Sequence, residues 1–336
     1  MVDNILLVRT DRIGDVVLVT PAISVLRENF PGARISFLAS PYAAGVVRSN
    51  PALSEVLEDR PFLELVGELR RRRFDAAVIF FVNFKVVMAT LLAGIPLRIG
   101  PASKLWSVFL SRMIRQKRST VDRHEADFNI DLVLELGGKR VEARTGMTVS
   151  PENAAFAEEF LVRKFGKNAG NRLVILHPGS RGSAKDWPPE NFAALGEGIK
   201  RRHPDFNILL TGGQAERGMI TGLAAGMKCG PAILDEDVSV EKLAAIIAKA
   251  SLLAANSTGP LHIATAVGVP TISFFPPLKN MSPSRWGPYG PGHTALMPSK
   301  TPCQSCPSPE CGRLDCMTGI SVSEAEEAAE KLLSPK

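Results

Sequence analysis

The sequence predicts an α/β protein built on two doubly wound parallel sheets. Three observations carry that expectation. Short apolar runs without polar alternation recur along the chain, the pattern of strands buried on both faces. Helix-like segments separate them, as the crossover between parallel strands requires. A polar stretch near residues 149–170 divides two such series, in a chain whose 336 residues exceed what one hydrophobic core usually serves. The expected domains are 1–160 and 161–336.

In the first half the expected strands are "NILLVR" (4–9), "RISFLAS" (34–40), "DAAVIFF" (75–81) and, less apolar, "LRIG" (97–100). The segment "VVLVTPAISVLRENF" (16–30) has helical spacing, and Pro21 inside it predicts a kink or a late start. "HEADFNIDLVLELGG" (124–138) spaces its apolar residues by three and four and stops on Gly137 and Gly138. Ser150-Pro151 then opens a helix, and "KFGKNAGN" reads as a loop. Beyond it the strands are "RLVILH" (172–177), "FNILLTGG" (206–213), "AIL" (232–234), "SLLAAN" (251–256) and "PTISFF" (270–275). Helices alternate with them, including "PPENFAALGEGIKRR", "SVEKLAAIIAKA" and "GPLHIATAVG".

Hydrophobic content of 45% and charged content of 22% are those of an ordinary globular chain. Asp3 and Asn4 precede a short apolar run, which does not read as a signal peptide. The most apolar region, residues 76–97, carries Asn83 and Lys85 and reads as strand plus helix rather than a membrane span. A cytoplasmic protein is expected. The net charge of +6 is uneven: residues 1–150 hold 21 Lys and Arg against 16 Asp and Glu, the remainder 19 against 18. One basic run, "LRRRRFD" (69–75), suits a helix C-terminus before a strand. The other, "SRMIRQKRSTVDRH" (111–124), suits either a solvated face or a surface for phosphate or anionic lipid. Aromatics do not interleave with these charges, so no nucleic-acid partner is expected.

Ligands of doubly wound sheets bind beyond the carboxyl ends of strands, so function is sought in the loops there. Four stand out. The first strand runs into Arg9-Thr10-Asp11-Arg12, then Gly14 and Asp15. "HPGSRGSAKDWP" (177–188) gathers Gly179, Ser180, Arg181, Gly182, Ser183 and Lys185, residues suited to an anion. "TGGQAER" (211–217) contributes Gly212 and Gly213. "ANSTGPLHIATA" (255–266) places Ser257, Thr258 and Gly259 at a helix start, with His262 in its first turn. Simple N-caps and tight turns, a packed core histidine, and an Asp15 that only complements the helix dipole remain the competing readings. Trp187 and Pro188 are expected to staple the helix that follows. Neither a P-loop nor a G-x-G-x-x-G after the first strand is present, which disfavours a kinase, an ATPase or a dinucleotide oxidoreductase.

In this order and at this spacing the loops resemble glycosyltransferase family 9, the bacterial heptosyltransferases of lipopolysaccharide core assembly. The matching pieces are "ILLVRTDRIGDVVLVTPAISVLRENFP", "RIG", "HPGSRGSAKDWPPENFAAL", "TGGQAER", "NSTGPLHIATAVGVPTISFF" and "CMTGISVSEA", which span nearly the whole chain. The resemblance implies a GT-B fold, two facing Rossmann-like domains with an interdomain cleft. It implies an inverting, metal-independent transferase taking a nucleotide sugar, ADP-heptose above others. The acceptor would be a lipid-linked oligosaccharide held by the N-terminal domain, at the inner face of the inner membrane, with peripheral contact to its anionic surface. By the same resemblance Asp15 is the general base, with Arg9, Asp11, Arg12 and Gly14 on the acceptor side. Ser180, Arg181, Lys185, Gly212, Gly213, Val238, Ser257, Thr258, Gly259 and His262 face the donor nucleotide. Where many members carry Asp, this chain reads Ser257, which removes a negative charge beside the diphosphate and leaves the donor's identity open. Transfer of another sugar and a non-catalytic binding homologue stand as alternatives.

Four of the five cysteines, Cys303, Cys306, Cys311 and Cys316, are spaced C-x₂-C-x₄-C-x₄-C. That spacing allows a structural Zn²⁺, an Fe–S cluster, or reduced thiols or an oxidised pair in a loop, and no cofactor is expected for catalysis. Cys229 stands alone and is expected to be packed.

Overall fold

The computed structural model describes residues 2–118, 120, 123–166, 172–180, 182, 185–299 and 316–334. The chain forms two compact units, Met1–Thr148 and Val149–Lys336. The division falls earlier than residue 160 because helix Pro151–Phe165 belongs wholly to the second unit. It buries Ala157, Phe160 and Leu161, and the ammonium of Lys242 lies 4.4 Å from the ring of its Phe156.

In the first unit β1 (Asn4–Arg9) leads through α1 (Ile13–Val17) and α2 (Thr20–Asn29) to β2 (Arg34–Ala39) and β3 (Glu55–Glu58). Then come α3 (Phe62–Arg72), β4 (Ala76–Ile79), α4 (Phe84–Leu92), β5 (Leu97–Pro101), β6 (Arg112–Ile114) and α5 (Glu125–Leu134). The six strands are parallel in the order β3-β2-β1-β4-β5-β6. Pro21 acts as a helix starter: the expected single helix is two, and the proline sits in the first turn of α2, where its missing N–H is no loss. The run Arg70–Arg73 ends α3, with Arg73 left-handed at φ 51° and Arg72 paired to Glu55 and Glu68, as a helix C-terminus before a strand requires. Gly137 and Gly138 follow α5 at φ 107° and 101°, a backbone that only glycine adopts readily.

The second unit begins with α6 (Pro151–Phe165), whose N-cap Ser150 accepts from the Asn153 N–H. It continues through β7 (Leu173–His177), α7 (Pro189–Arg202), β8 (Asn207–Leu210), α8 (Arg217–Gly226), β9 (Ala232–Ile233) and α9 (Val240–Ile247). It closes with β10 (Leu252–Asn256), α10 (Gly259–Ala266), β11 (Thr271–Phe274), α11 (Pro283–Trp286), β12 (His293–Leu296) and α12 (Val322–Leu333). Its parallel order, β12-β11-β10-β7-β8-β9, repeats the topology of the first sheet. Each unit is a doubly wound parallel sheet of the kind the sequence predicts.

Strand order therefore reverses between β1 and β4 in one unit and between β7 and β10 in the other, where open α/β sheets bind ligands. Trp187 is fully buried beside the second switch point. It stacks on Phe274 at 4.0 Å between centroids, meets Phe192 edge-on at 5.0 Å and donates to the Ile320 carbonyl at 2.9 Å. This is the stapling role expected of it. Among the described residues no helix is long and apolar enough to cross a membrane.

Candidate active site

In the first unit the loop after β1 is organised by a buried cation. Arg9, the last residue of β1, is 3% exposed. Its Nε donates to Asp11 at 2.6 Å, one terminal nitrogen pairs with Asp15, and the other lies 3.6 Å from Glu125 and 3.4 Å from the Phe80 carbonyl. Burial alone would lower the guanidinium's pKa, but the carboxylates of Asp15, Asp11 and Glu125 together push it above its ordinary value. Arg9 is thus committed inward, while Arg12 is exposed. Asp11 is half-buried between them.

Asp15 lies in the first turn of α1 with its side chain 15% exposed. Burial pushes its pKa up to about 6; Arg9 opposes the rise, and the like charges of Asp11 and Glu125 add to it. The result is a partly accessible carboxylate, poised near neutrality and held in place by a guanidinium. Gly14, named with the acceptor-side loop, makes no turn there. It lies instead in the regular backbone of α1, buried, because the chain enters the helix directly from Arg12.

Glu125 was not singled out from the sequence. It is 1% exposed at the start of α5 and also receives Arg118, which in turn donates to Gln116 at 2.8 Å. The Asp15 carboxylate is therefore one end of an alternating chain of charges through Arg9, Glu125 and Arg118. Only the spacing of α5 was legible beforehand; nothing local marks a helix-start glutamate as the partner of a distant loop.

In the second unit the candidate donor residues gather at the ends of β7, β8, β9 and β10. Ser180, Lys185, Thr258 and His262 are all nearly buried. Thr258 occupies the N-cap position of α10 but does not cap it: its hydroxyl donates to the Asn256 carbonyl at 3.2 Å. Gly259 begins α10 itself, and Ser257 precedes it half-buried. Val238 is half-buried in the loop between β9 and α9, beside the N-cap Ser239. Gly213 donates its N–H to Glu216 at 2.7 Å, and a Cβ on Gly212 would lie 2.9 Å from Ile220. Arg181 lies outside the described residues, as do Cys303, Cys306 and Cys311. Cys316 is buried in the apolar core with Trp187 and Met317, and among the described residues no group of three potential metal ligands occurs. Cys229 is half-buried, packed against the same core.

Three further residues shape this edge. Asn256, fully buried at the end of β10, accepts from the Trp187 N–H at 2.9 Å and donates to the Pro178 carbonyl at 2.6 Å, tying both ends of the β7 loop to the neighbouring strand. Asp186 receives a hydrogen bond from Ser180; burial raises its pKa to about 6 and nearby Glu216 adds to the rise. Glu216 lies against the backbone at Gly179, where a Cβ would come within 2.0 Å of its carboxylate. The glycine was read as making room for a ligand anion; it first makes room for this carboxylate. A buried Asn closing an apolar strand was the one signal in the sequence that could have flagged any of the three.

Comparisons with known proteins point to one family. The family model for glycosyltransferase family 9 (heptosyltransferase) matches residues 62–315. A putative glycosyltransferase of Haemophilus influenzae is 30% identical over 85% of this chain and 86% of its own length. The lipopolysaccharide core heptosyltransferase OpsX of the same organism is 22% identical over 85% and 82%. Among solved structures, the ADP-heptose lipopolysaccharide heptosyltransferase II of Escherichia coli superposes with a TM-score of 0.81 at 18% identity, covering 98% of both chains.

Proposed function

The chain belongs to glycosyltransferase family 9, and from that premise we propose that it transfers heptose from ADP-heptose to a lipopolysaccharide core acceptor, with inversion and without a catalytic metal. A named core heptosyltransferase among its relatives and an ADP-heptose enzyme among its structural neighbours support this choice of donor and acceptor. The observation that carries the mechanism is Asp15: a carboxylate at the switch point of the first sheet, oriented by Arg9 and raised toward neutrality.

An acceptor hydroxyl is a poor nucleophile. Asp15 takes its proton as the oxygen attacks the anomeric carbon, and the nucleotide diphosphate departs from the opposite face, so the configuration inverts. A base titrating just below neutral pH is ionised when needed yet basic enough to accept a proton, a contribution of about 10²–10⁴ in rate. Arg9 does not touch substrate in this scheme; it fixes the carboxylate's position. Exposed Arg12 is the cation offered to phosphate or acidic sugar on the acceptor.

The second unit takes the donor. Charge builds on the departing diphosphate, and Lys185 with the N–H groups opening α10 supplies the compensation. Preorganised donors of that kind are each worth roughly 3 kcal/mol. Ser180 and His262 are the remaining polar contacts, and Val238 borders the base. Ser257 brings a hydroxyl where many family members have a carboxylate, which leaves anion binding intact.

The test is transfer to a core acceptor from ADP-heptose against UDP- and GDP-sugars, in the presence of EDTA, with the product's anomeric configuration read by NMR. Preference for ADP-heptose, inversion and indifference to EDTA are expected. Retention, or activity abolished by EDTA and restored by a divalent cation, would overturn the mechanism. Preference for another nucleotide sugar would overturn the donor.

A further inference from the structure

α1, Ile13–Val17, is five residues long, too short a helix to hold itself in water, and Arg12 at its N-cap position supplies no side-chain cap. Asp15 belongs to that helix, so whatever places α1 places the carboxylate. α5 does so at both ends. Glu125 and Asn129 stand one turn apart on one face of α5. Asn129, fully buried, donates to the carbonyl of Leu18, the C-cap of α1, at 3.0 Å. Buried Glu125 meets Arg9, and Arg9 meets Asp15.

The basic run at 111–124 takes part in this hold, because its Arg118 is turned inward. Gln116 Oε1 accepts from Arg118 Nε at 3.0 Å and from a terminal nitrogen at 2.8 Å. The Gln116 amide in turn donates to the Phe128 carbonyl of α5 at 2.7 Å. The Phe128 ring lies 5.5 Å from the guanidinium. So anchored, Arg118 pairs with the same Glu125 oxygen that lies 3.6 Å from Arg9. Two guanidiniums share one carboxylate oxygen.

That sharing has an electrostatic consequence. The charged groups around Asp15 are Arg9 of β1, Asp11 and Arg12 of the loop, and Glu125 of α5. Glu125 competes with Asp15 for Arg9, and its own charge disfavours another anion nearby. Arg118 answers part of the Glu125 charge and so limits how much of Arg9 it claims. Salt screens buried pairs of this kind only weakly. Glu125 and Arg118 therefore act on the Asp15 carboxylate in opposite senses.

We propose that Glu125 and Arg118 are positioning residues: through Arg9 they hold the Asp15 carboxylate in place and set, against each other, how readily it keeps its proton. Their bearing on the reaction rests on Asp15 as the base of the proposed function, but their hold on the carboxylate can be measured without substrate.

The experiment is a pH titration of the Asp15 carboxyl carbon by ¹³C NMR in the full-length chain, the signal assigned by its loss in Asp15→Asn. The acid limb of kcat/KM is recorded beside it with ADP-heptose and a core acceptor. Glu125→Gln lowers the midpoint by about one pH unit, and Arg118→Met raises it by about half a unit. Arg118→Lys keeps the charge while giving up the fork onto Gln116, and stays within about 0.3 of wild type. The acid limb of kcat/KM follows each midpoint. A merely structural pair would move both midpoints the same way or not at all, and either result would overturn the proposal. So would an Arg118→Lys midpoint displaced as far as that of Arg118→Met. Should Glu125→Gln fail to fold, the two Arg118 variants decide alone. Midpoints that move as expected while the acid limb stays put support the hold on the carboxylate and count only against Asp15 as the base.

Discussion

Replacing Asp15 by asparagine should weaken the enzyme and strengthen the fold. A carboxyl that titrates at about 6 rather than its ordinary 3.8 is held ionised against the preference of its surroundings. At pH 8 that ionisation costs the folded state roughly 3 kcal/mol relative to the unfolded chain. Asparagine keeps the shape and an oxygen for Arg9, whose charge retains Asp11 at 2.6 Å and Glu125 at 3.6 Å. Because the native pKa lies above the unfolded one, the carboxylate's penalty is full above about pH 6 and vanishes below about pH 4. Urea unfolding followed by circular dichroism should therefore show Asp15→Asn more stable than wild type by about 1–3 kcal/mol at pH 8, the gain fading through pH 6 and absent at pH 4. Turnover should fall by about 10²–10⁴, and wild-type kcat/KM should decline with unit slope below pH 6. A variant that is less stable than wild type at pH 8 would make Asp15 a structural partner of Arg9. Turnover within tenfold of wild type would remove it from the chemistry.

Lys185→Met should lower ADP affinity by about 10–100-fold in calorimetry, corresponding to one charge-assisted contact, and should lower turnover at saturating donor by about 100-fold, because the same charge compensates the departing diphosphate. Unchanged affinity would exclude Lys185 from the diphosphate. Asn256→Ala removes partners from a buried N–H and a buried carbonyl, and should destabilise the protein by about 2–4 kcal/mol in urea unfolding while loosening donor binding.

Much of this architecture was visible in the order of residues, and the omissions share a cause. Strands such as Leu173–His177 are buried on both faces and read as unbroken apolar runs. β3, β6 and β12 are edge strands, short and half-exposed, with Glu55, Arg112 and His293 where the pattern demands apolar residues. Periodicity has nothing to register there. At the sites, local chemistry found the loops, and family resemblance selected Asp15 and Lys185 within them. Glu125, Asn256, Asp186 and Glu216 act through partners brought close only by folding: a glutamate opening a helix looks like a dipole complement until Arg9 and Arg118 lie beside it. Conversely, Arg9 looked like a cation for the acceptor and proves to be the buried centre of an ion cluster.

The way Asn256 holds the β7 loop has a consequence for how such a protein diversifies. Both of its hydrogen bonds end on main-chain atoms, the Pro178 carbonyl and the Trp187 N–H, so the grip is blind to the side chains in between. Mutation can rewrite the interior of the loop without the two ends letting go. The scaffold thereby separates what must stay from what is free to drift. Substitutions accumulate inside a frame that one asparagine keeps shut.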